Sequence, residues 1–278
     1  MDEIKKSPDR LAVIEKIEQL ERARIFDEDV EQDPPTIPLT PDKIKYANRS
    51  LWANIKRAIA YKMAYAFYDK ATKEKAFALG EITGAQNLNS VSGGAIVTCN
   101  HFNAMDSFVM QKVFDASKRK GRMYRVIREG NYTSFPGFYG FLMRNCDTLP
   151  LSDNMAVMKK FFRGVEKVLG ENNLVLIYPE QSMWWNYRKP KPLKSGAFDL
   201  AVKYGVPVIP CFITMTDGDT VCPDGFPMQT YSPFVGEPIY PDKSLPRKQA
   251  TEKLRAQVEE YNKQVYEKFY GVPLQYLD

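Results

Sequence analysis

Histidine is almost missing from this chain: His101 is the only one in 278 residues. Chemistry that needs an imidazole near neutral pH must therefore use that one position. Cysteine is also sparse, and Cys99, Cys146, Cys211 and Cys222 form no Cys-x-x-Cys pair. A zinc site is hard to assemble from one imidazole and scattered thiols, so no metal is expected. A disulfide framework is not indicated either, which leaves free thiols in a reducing compartment. No apolar run approaches the roughly 18 residues of a membrane-spanning helix; Ala95 to Cys99 and Leu174 to Tyr178 are strand-sized. The amino terminus, Met-Asp-Glu-Ile-Lys-Lys, lacks an apolar stretch with a small-residue cleavage site. No secretory signal is expected, and an intracellular protein is.

Charge is plentiful but uneven. Lys and Arg total 39 against 34 Asp and Glu, yet Met1 to Asp33 holds eleven acids and six bases. The basic surplus therefore lies downstream, where it suits an anionic membrane surface, a phosphorylated substrate or nucleic acid without choosing among them. Leu11, Ile14, Ile17 and Leu20 recur at helical spacing, and the four prolines between Asp33 and Pro41 read as an extended linker. Residues 1–41 are thus an acidic helix with its linker. Residues 42–80 read as a basic amphipathic helix with Ile44, Ala47, Leu51, Ile55, Ala58 and Ala66 on one stripe, Trp52 beside it, and Lys45, Arg49, Lys56 and Arg57 around it. Such a stripe either enters a membrane interface or packs on a core.

From residue 81 to 278, short apolar runs alternate with helical patterns, which predicts an α/β fold: a mixed sheet flanked by helices, with an N-terminal helical extension. Strands are expected at Ala95 to Cys99, Met123 to Ile127, Thr148 to Leu151, Leu174 to Tyr178 and Val208 to Ile213. Helices are expected at Ser107 to Lys118, Phe138 to Asn145, Met155 to Leu169, Ser195 to Lys203 and Thr251 to Tyr270. The first of these strands runs directly into Asn100-His101, and Asp106 opens the next helix. A loop there can fold the aspartate onto the imidazole, giving a general base and the group that orients it. The bland alternative makes Asp106 a helix cap. Glu180, Gln181 and Ser182 follow the Leu174 to Tyr178 strand, at the sheet edge where open α/β folds bind ligands. Lys194 and Gly196 sit together at a small-residue helix start, which suits a phosphate or a developing oxyanion.

In order and spacing this set resembles the glycerolipid acyltransferase family typified by bacterial 1-acylglycerol-3-phosphate acyltransferases. The signature of that family is Asn-His, four residues, Asp, then Phe-Pro-Glu-Gly-Thr-Arg and a Val-Pro-Ile-Ile-Pro block; this chain reads Asn100-His101 with Asp106, Tyr178-Pro179-Glu180-Gln181-Ser182-Met183, and Val206 to Pro210. The resemblance runs from about Glu81 to Gly236. It implies His101 and Asp106 as the catalytic pair, and Asn100, Glu180, Gln181, Ser182, Lys194 and Gly196 as substrate-binding residues. It also implies acyl transfer from acyl-CoA or acyl carrier protein, with no cofactor, to a lysolipid hydroxyl, with 1-acylglycerol-3-phosphate as the leading acceptor in phospholipid biosynthesis.

Two family arginines are missing. Gln181-Ser182-Met183 stands where the family has Gly-Thr-Arg, and the strand at Thr148 to Leu151 ends in Ser152-Asp153. Lys194 and Arg188 are the candidate substitutes, while Met183, Trp184 and Trp185 suggest a flat apolar surface that admits other lysolipid or glycolipid acceptors. The protein is expected to be cytoplasmic and peripheral on the inner face of an anionic membrane. Two rivals remain on the sequence: a thioester hydrolase using Cys99, and a non-catalytic binding module using the basic run Lys118, Arg119, Lys120, Arg122, Arg125 and Arg128. No nucleic-acid motif accompanies that run, so no nucleic-acid partner is expected.

Overall fold

The computed structural model describes residues 5–32 and 34–278. The first four residues of the acidic segment and Asp33, where the linker begins, lie outside the described residues. A seven-stranded sheet forms the centre. Its strands are β1 (Phe77–Leu79), β2 (Ala95–Thr98), β3 (Met123–Arg128), β4 (Thr148–Leu151), β5 (Leu174–Ile177), β6 (Val208–Val221) and β7 (Pro227–Val235). Their spatial order is β1-β7-β6-β2-β5-β3-β4, parallel throughout except for the antiparallel β6–β7 hairpin. The sheet is therefore mixed, as expected.

The helices are α1 (Pro8–Arg22), α2 (Leu51–Lys73), α3 (Asp106–Ala116), α4 (Glu129–Thr133), α5 (Gly137–Asn145), α6 (Met155–Gly170), α7 (Gly196–Tyr204) and α8 (Arg247–Tyr270). They cover both faces of the sheet, which is why β5 is apolar at every position and β2 at all but Thr98. Ala95 and Val97 pack with Val109, Met110 and Val113 of α3 on one face. Ile96 and Val175 pack with Phe161 and Val165 of α6, Phe198 of α7 and Leu254 of α8 on the other. Helix boundaries follow local chemistry: the Asn154 carboxamide accepts from the N–H groups of Ala156 and Val157 at the start of α6. Gly205, at φ 65°, ends α7 in a left-handed turn that suits glycine.

Several expectations change. Strand β6 runs to Val221, not Ile213, and the sequence reading missed β1 and β7. Proline at positions 227 and 233 concealed β7, although its buried and part-buried residues alternate as a strand's should. Because β1 pairs with β7, the sheet begins at Phe77, ahead of the expected boundary at residue 81.

The N-terminal segment packs on the domain: Ile17, Leu20, Phe26 and Val30 bury Trp184 completely. On α2, the buried face is Ala60, Ala64, Tyr68 and Ala71, whereas Leu51, Ile55, Ala58 and Ala66 of the expected stripe point outward. Ile44 and Ala47 precede the helix and are buried elsewhere. Finally, the basic run is not one continuous solvated patch: Lys118, Lys120 and Arg128 are exposed, but two of its arginines are buried. Arg119 is buried and donates to the carbonyls of Leu88, Val91, Gly93 and Asn172. Arg125 is buried and donates to Gln111, Tyr61 and two backbone carbonyls.

Candidate active site

Strands β2, β5 and β3 lie side by side and point the same way, so the loops after them share one edge of the sheet. Just past β2, His101 Nδ1 meets Asp106 Oδ2 at 2.6 Å. Asp106 is 1% exposed on its side chain and His101 28%, so the carboxylate is sealed and the imidazole reaches solvent. With Nδ1 donating its proton to the carboxylate, Nε2 is left as the acceptor. Asp106 is thus not a cap but the first residue of α3; the cap position is Met105, which makes no side-chain capping bond. Asp106 Oδ1 is buried with no hydrogen-bond partner among the described residues, which leaves the carboxylate's charge directed at the ring.

Three further contacts hold His101. Its N–H donates to Glu180 Oε2 at 3.1 Å, its carbonyl accepts from Trp184 N–H at 3.3 Å, and the Tyr178 ring stacks on the imidazole with centroids 4.4 Å apart. The Tyr178 hydroxyl pairs with Ser107 Oγ at 3.1 Å. Burial holds the phenol well above its ordinary value, so it stays neutral beside the base. Tyr178 escaped the sequence reading, yet it stands where the family signature has phenylalanine.

The residues expected to bind substrate have other partners. Asn100 is buried and bridges β2 to β6, accepting from Ile213 N–H at 2.8 Å and donating to its carbonyl at 3.0 Å. Glu180 is 2% exposed; it accepts from the Lys191 N–H as well as from His101, and its partner ammonium is Lys191 Nζ at 3.4 Å. Burial pushes this carboxyl up while the Lys191 ammonium and the two backbone donors pull against that shift. Ser182, fully buried, donates to the Phe26 carbonyl and accepts from Lys191 Nζ. Glu180 and Ser182 are therefore positioning groups beneath the dyad.

Gln181 is exposed, and its carbonyl accepts from Arg128. Lys194 is exposed and pairs with Asp27 at 2.6 Å, and Gly196 opens α7 on the surface with open space where a Cβ would lie. Among the described residues neither is hydrogen-bonded or ion-paired to His101 or Asp106. The Asp106 N–H is engaged by the Asn103 carbonyl at 3.1 Å.

Arg188 pairs with Asp217 and Gln229. Trp184 offers no surface to an acceptor, because it is buried against Phe26 and Tyr187. Cys99 is buried, its thiol held well above the ordinary range by that burial, and it lacks the thiolate a nucleophile needs.

The arrangement is a buried carboxylate orienting a partly exposed imidazole, and it can take a proton from a bound hydroxyl. Residues 80–214 match the family model described as Acyltransferase. No curated protein matches the chain. Among solved structures, the 1-acyl-sn-glycerophosphate (LPA) acyltransferase PlsC from Thermotoga maritima is similar in fold, with a TM-score of 0.54 and 20% identity over 82% of this chain and 86% of that one.

Proposed function

We propose that this chain, whose residues 80–214 match the Acyltransferase family model, moves an acyl group from acyl-CoA or acyl carrier protein to the free hydroxyl of a lysolipid. His101 Nε2 takes the hydroxyl proton as the oxygen attacks the thioester carbonyl carbon. When the tetrahedral intermediate collapses, the carbon–sulfur bond breaks and the imidazolium returns the proton to the departing thiolate. Asp106 holds the tautomer and stabilises the imidazolium. The observation that carries this reading is the 2.6 Å contact between His101 Nδ1 and a carboxylate that is itself almost wholly buried.

The family resemblance supports 1-acylglycerol-3-phosphate as the acceptor, with phosphatidate as the product; other lysolipids are expected to compete, since neither missing arginine is replaced in register. The exposed side chains Leu51, Trp52, Ile55 and Ile59 on α2, next to the exposed Lys56 and Lys62, support peripheral attachment to the anionic inner face of a membrane. No helix among the described residues is long and apolar enough to cross one.

The test is product analysis by mass spectrometry with a panel of lysolipids and both donor types. His101→Ala and Asp106→Asn should each lower turnover on the order of 10²- to 10⁴-fold with the fold intact. Near-normal turnover in a folded His101→Ala protein would refute the assignment.

A further inference from the structure

Asn103 lies in the loop between His101 and Asp106, and its carboxamide has only one possible orientation. Its Oδ1 accepts from the Met105 N–H at 3.0 Å, and a backbone N–H can point only at an acceptor. The Asn103 Nδ2 therefore faces the other way, where it donates to Asn186 Oδ1 and to the Tyr231 hydroxyl, each at 3.3 Å. Because an NH2 group cannot donate to another, the Asn186 atom it meets is the oxygen; the Tyr231 hydroxyl donates to that same atom at 3.0 Å. The Asn186 carboxamide is thus fixed in its turn by its partners, and what it directs away from them is its own Nδ2.

That NH2 group meets no acceptor among the described residues. Asn186 is half-buried, and its Nδ2 is not one of the buried atoms left without a partner, so its N–H bonds face solvent. They do so beside the dyad. The Asn186 backbone N–H donates to the Phe102 carbonyl at 2.9 Å, next to the point where the Trp184 N–H meets the His101 carbonyl. The nearest arginine in sequence, Arg188, is held by Asp217 and Gln229, which leaves the amide as an uncharged donor.

We propose that Asn186 binds the acyl acceptor: Nδ2 donates to a phosphate oxygen of the lysolipid headgroup while the free hydroxyl lies at His101 Nε2. The inference rests on the acyl-transfer reading for its meaning but concerns binding. Of the acceptor's polar groups, the phosphate oxygens carry charge and make the strongest hydrogen bonds. In a 1-acyl lysolipid the phosphate hangs from the carbon beside the one that bears the free hydroxyl, so neighbouring protein groups can hold both. A neutral amide reads a phosphate oxygen without reading the net charge of the headgroup. Phosphomonoester and phosphodiester acceptors therefore both use it, whereas a guanidinium would favour the dianion.

The test measures binding by calorimetry on the full chain, with 1-hexanoyl-glycerol-3-phosphate and 1-hexanoyl-glycero-3-phosphocholine as probes and Asn186→Gly and Asn186→Asp as variants. Asn186 has φ 51°, a left-handed conformation that glycine and aspartate both tolerate. Aspartate also keeps the oxygen that accepts from Asn103 and Tyr231. Asn186→Gly should weaken both probes about tenfold, the scale of one charge-assisted hydrogen bond lost. Asn186→Asp turns a carboxylate toward the phosphate, and should weaken the phosphomonoester further than the glycine variant does and further than it weakens the phosphocholine. His101 is the only histidine, so its single imidazole NMR signal reports on the dyad, and its titration should be the same in Asn186→Gly as in the wild type.

Wild-type protein that binds neither probe, a glycine variant that binds both as the wild type does, or a phosphomonoester loss that aspartate does not deepen would each overturn the proposal. Weakened binding with a displaced His101 titration would also overturn it, since Asn186 would then act through the dyad loop. Binding as expected with no acyl transfer would sink the acyltransferase reading alone. Acyl transfer by a protein whose probe binding ignores Asn186→Gly would sink the headgroup inference alone.

Discussion

Glu180→Gln separates a positioning role for this carboxylate, beneath His101, from a role in binding substrate. The carboxylate is 2% exposed and accepts from two backbone N–H groups, at 3.1 Å from His101 and 3.3 Å from Lys191. Its ion partner, Lys191, is 1% exposed on its side chain and is otherwise met by Ser182 Oγ, the Ser182 carbonyl and the face of Trp184.

Replacing the carboxylate with an amide strands a buried ammonium, a change worth about 3–5 kcal/mol. In a chain of 278 residues this should lower the Tm by about 5–9 °C, since unfolding entropy is about 2.1 cal/mol/K per residue. Burial already depresses the Lys191 ammonium below its ordinary 10.5. In the variant, the folded state then binds fewer protons than the unfolded state below that value. Stability should therefore recover as the pH rises toward it. Adding Lys191→Met should restore most of the loss by removing the stranded charge. Differential scanning calorimetry across pH, beside steady-state kinetics, measures all of this. A Glu180→Gln protein whose Tm stays within about 1 °C of the wild type while its KM rises sharply would show that Glu180 binds substrate, and the positioning argument would fail.

Trp184→Ala should cost about 3–5 kcal/mol in urea unfolding, because the ring is fully buried between Phe26 and Tyr187 and its indole N–H donates to the Glu28 carbonyl at 2.8 Å; a loss under about 1 kcal/mol would mean that the N-terminal segment is loosely attached. Changing Leu51, Trp52, Ile55 and Ile59 to serine should abolish sedimentation with anionic vesicles while turnover of a soluble short-chain acceptor stays within about twofold, and persistent sedimentation would remove α2 as the membrane face. The Cys99 thiol, raised by burial, is protonated near pH 8, so native protein should resist iodoacetamide at that position and Cys99→Ala should retain activity; loss of all turnover in a folded Cys99→Ala protein would revive the hydrolase reading.

The strands and helices that read clearly in the sequence are those with one dominant local pattern. A short apolar run bounded by turn residues, such as Leu174–Ile177, fits a strand covered on both faces, and the 3.6-residue period of Met155–Gly170 fits a helix. His101 and Asp106 were legible for a similar reason: a strand end, a short loop and a helix start bring residues five apart together without help from distant chain.

What the sequence left open is everything set by contacts between distant segments. Whether Arg119 and Arg125 are surface charges or buried props depends on which carbonyls the loops around Leu88 and Cys146 present to them. The outward turn of Leu51 and Ile55 depends on α5 packing against the opposite side of α2, where Leu142 meets Ala60 and Ala64. Tyr178 on the imidazole, Lys191 under Glu180 and Asp29 on Arg128 join residues 77, 11 and 99 positions apart in the chain. A pattern of residue types specifies which groups can pair, whereas only the assembled sheet, with its strand ends brought to one edge, decides which of them do.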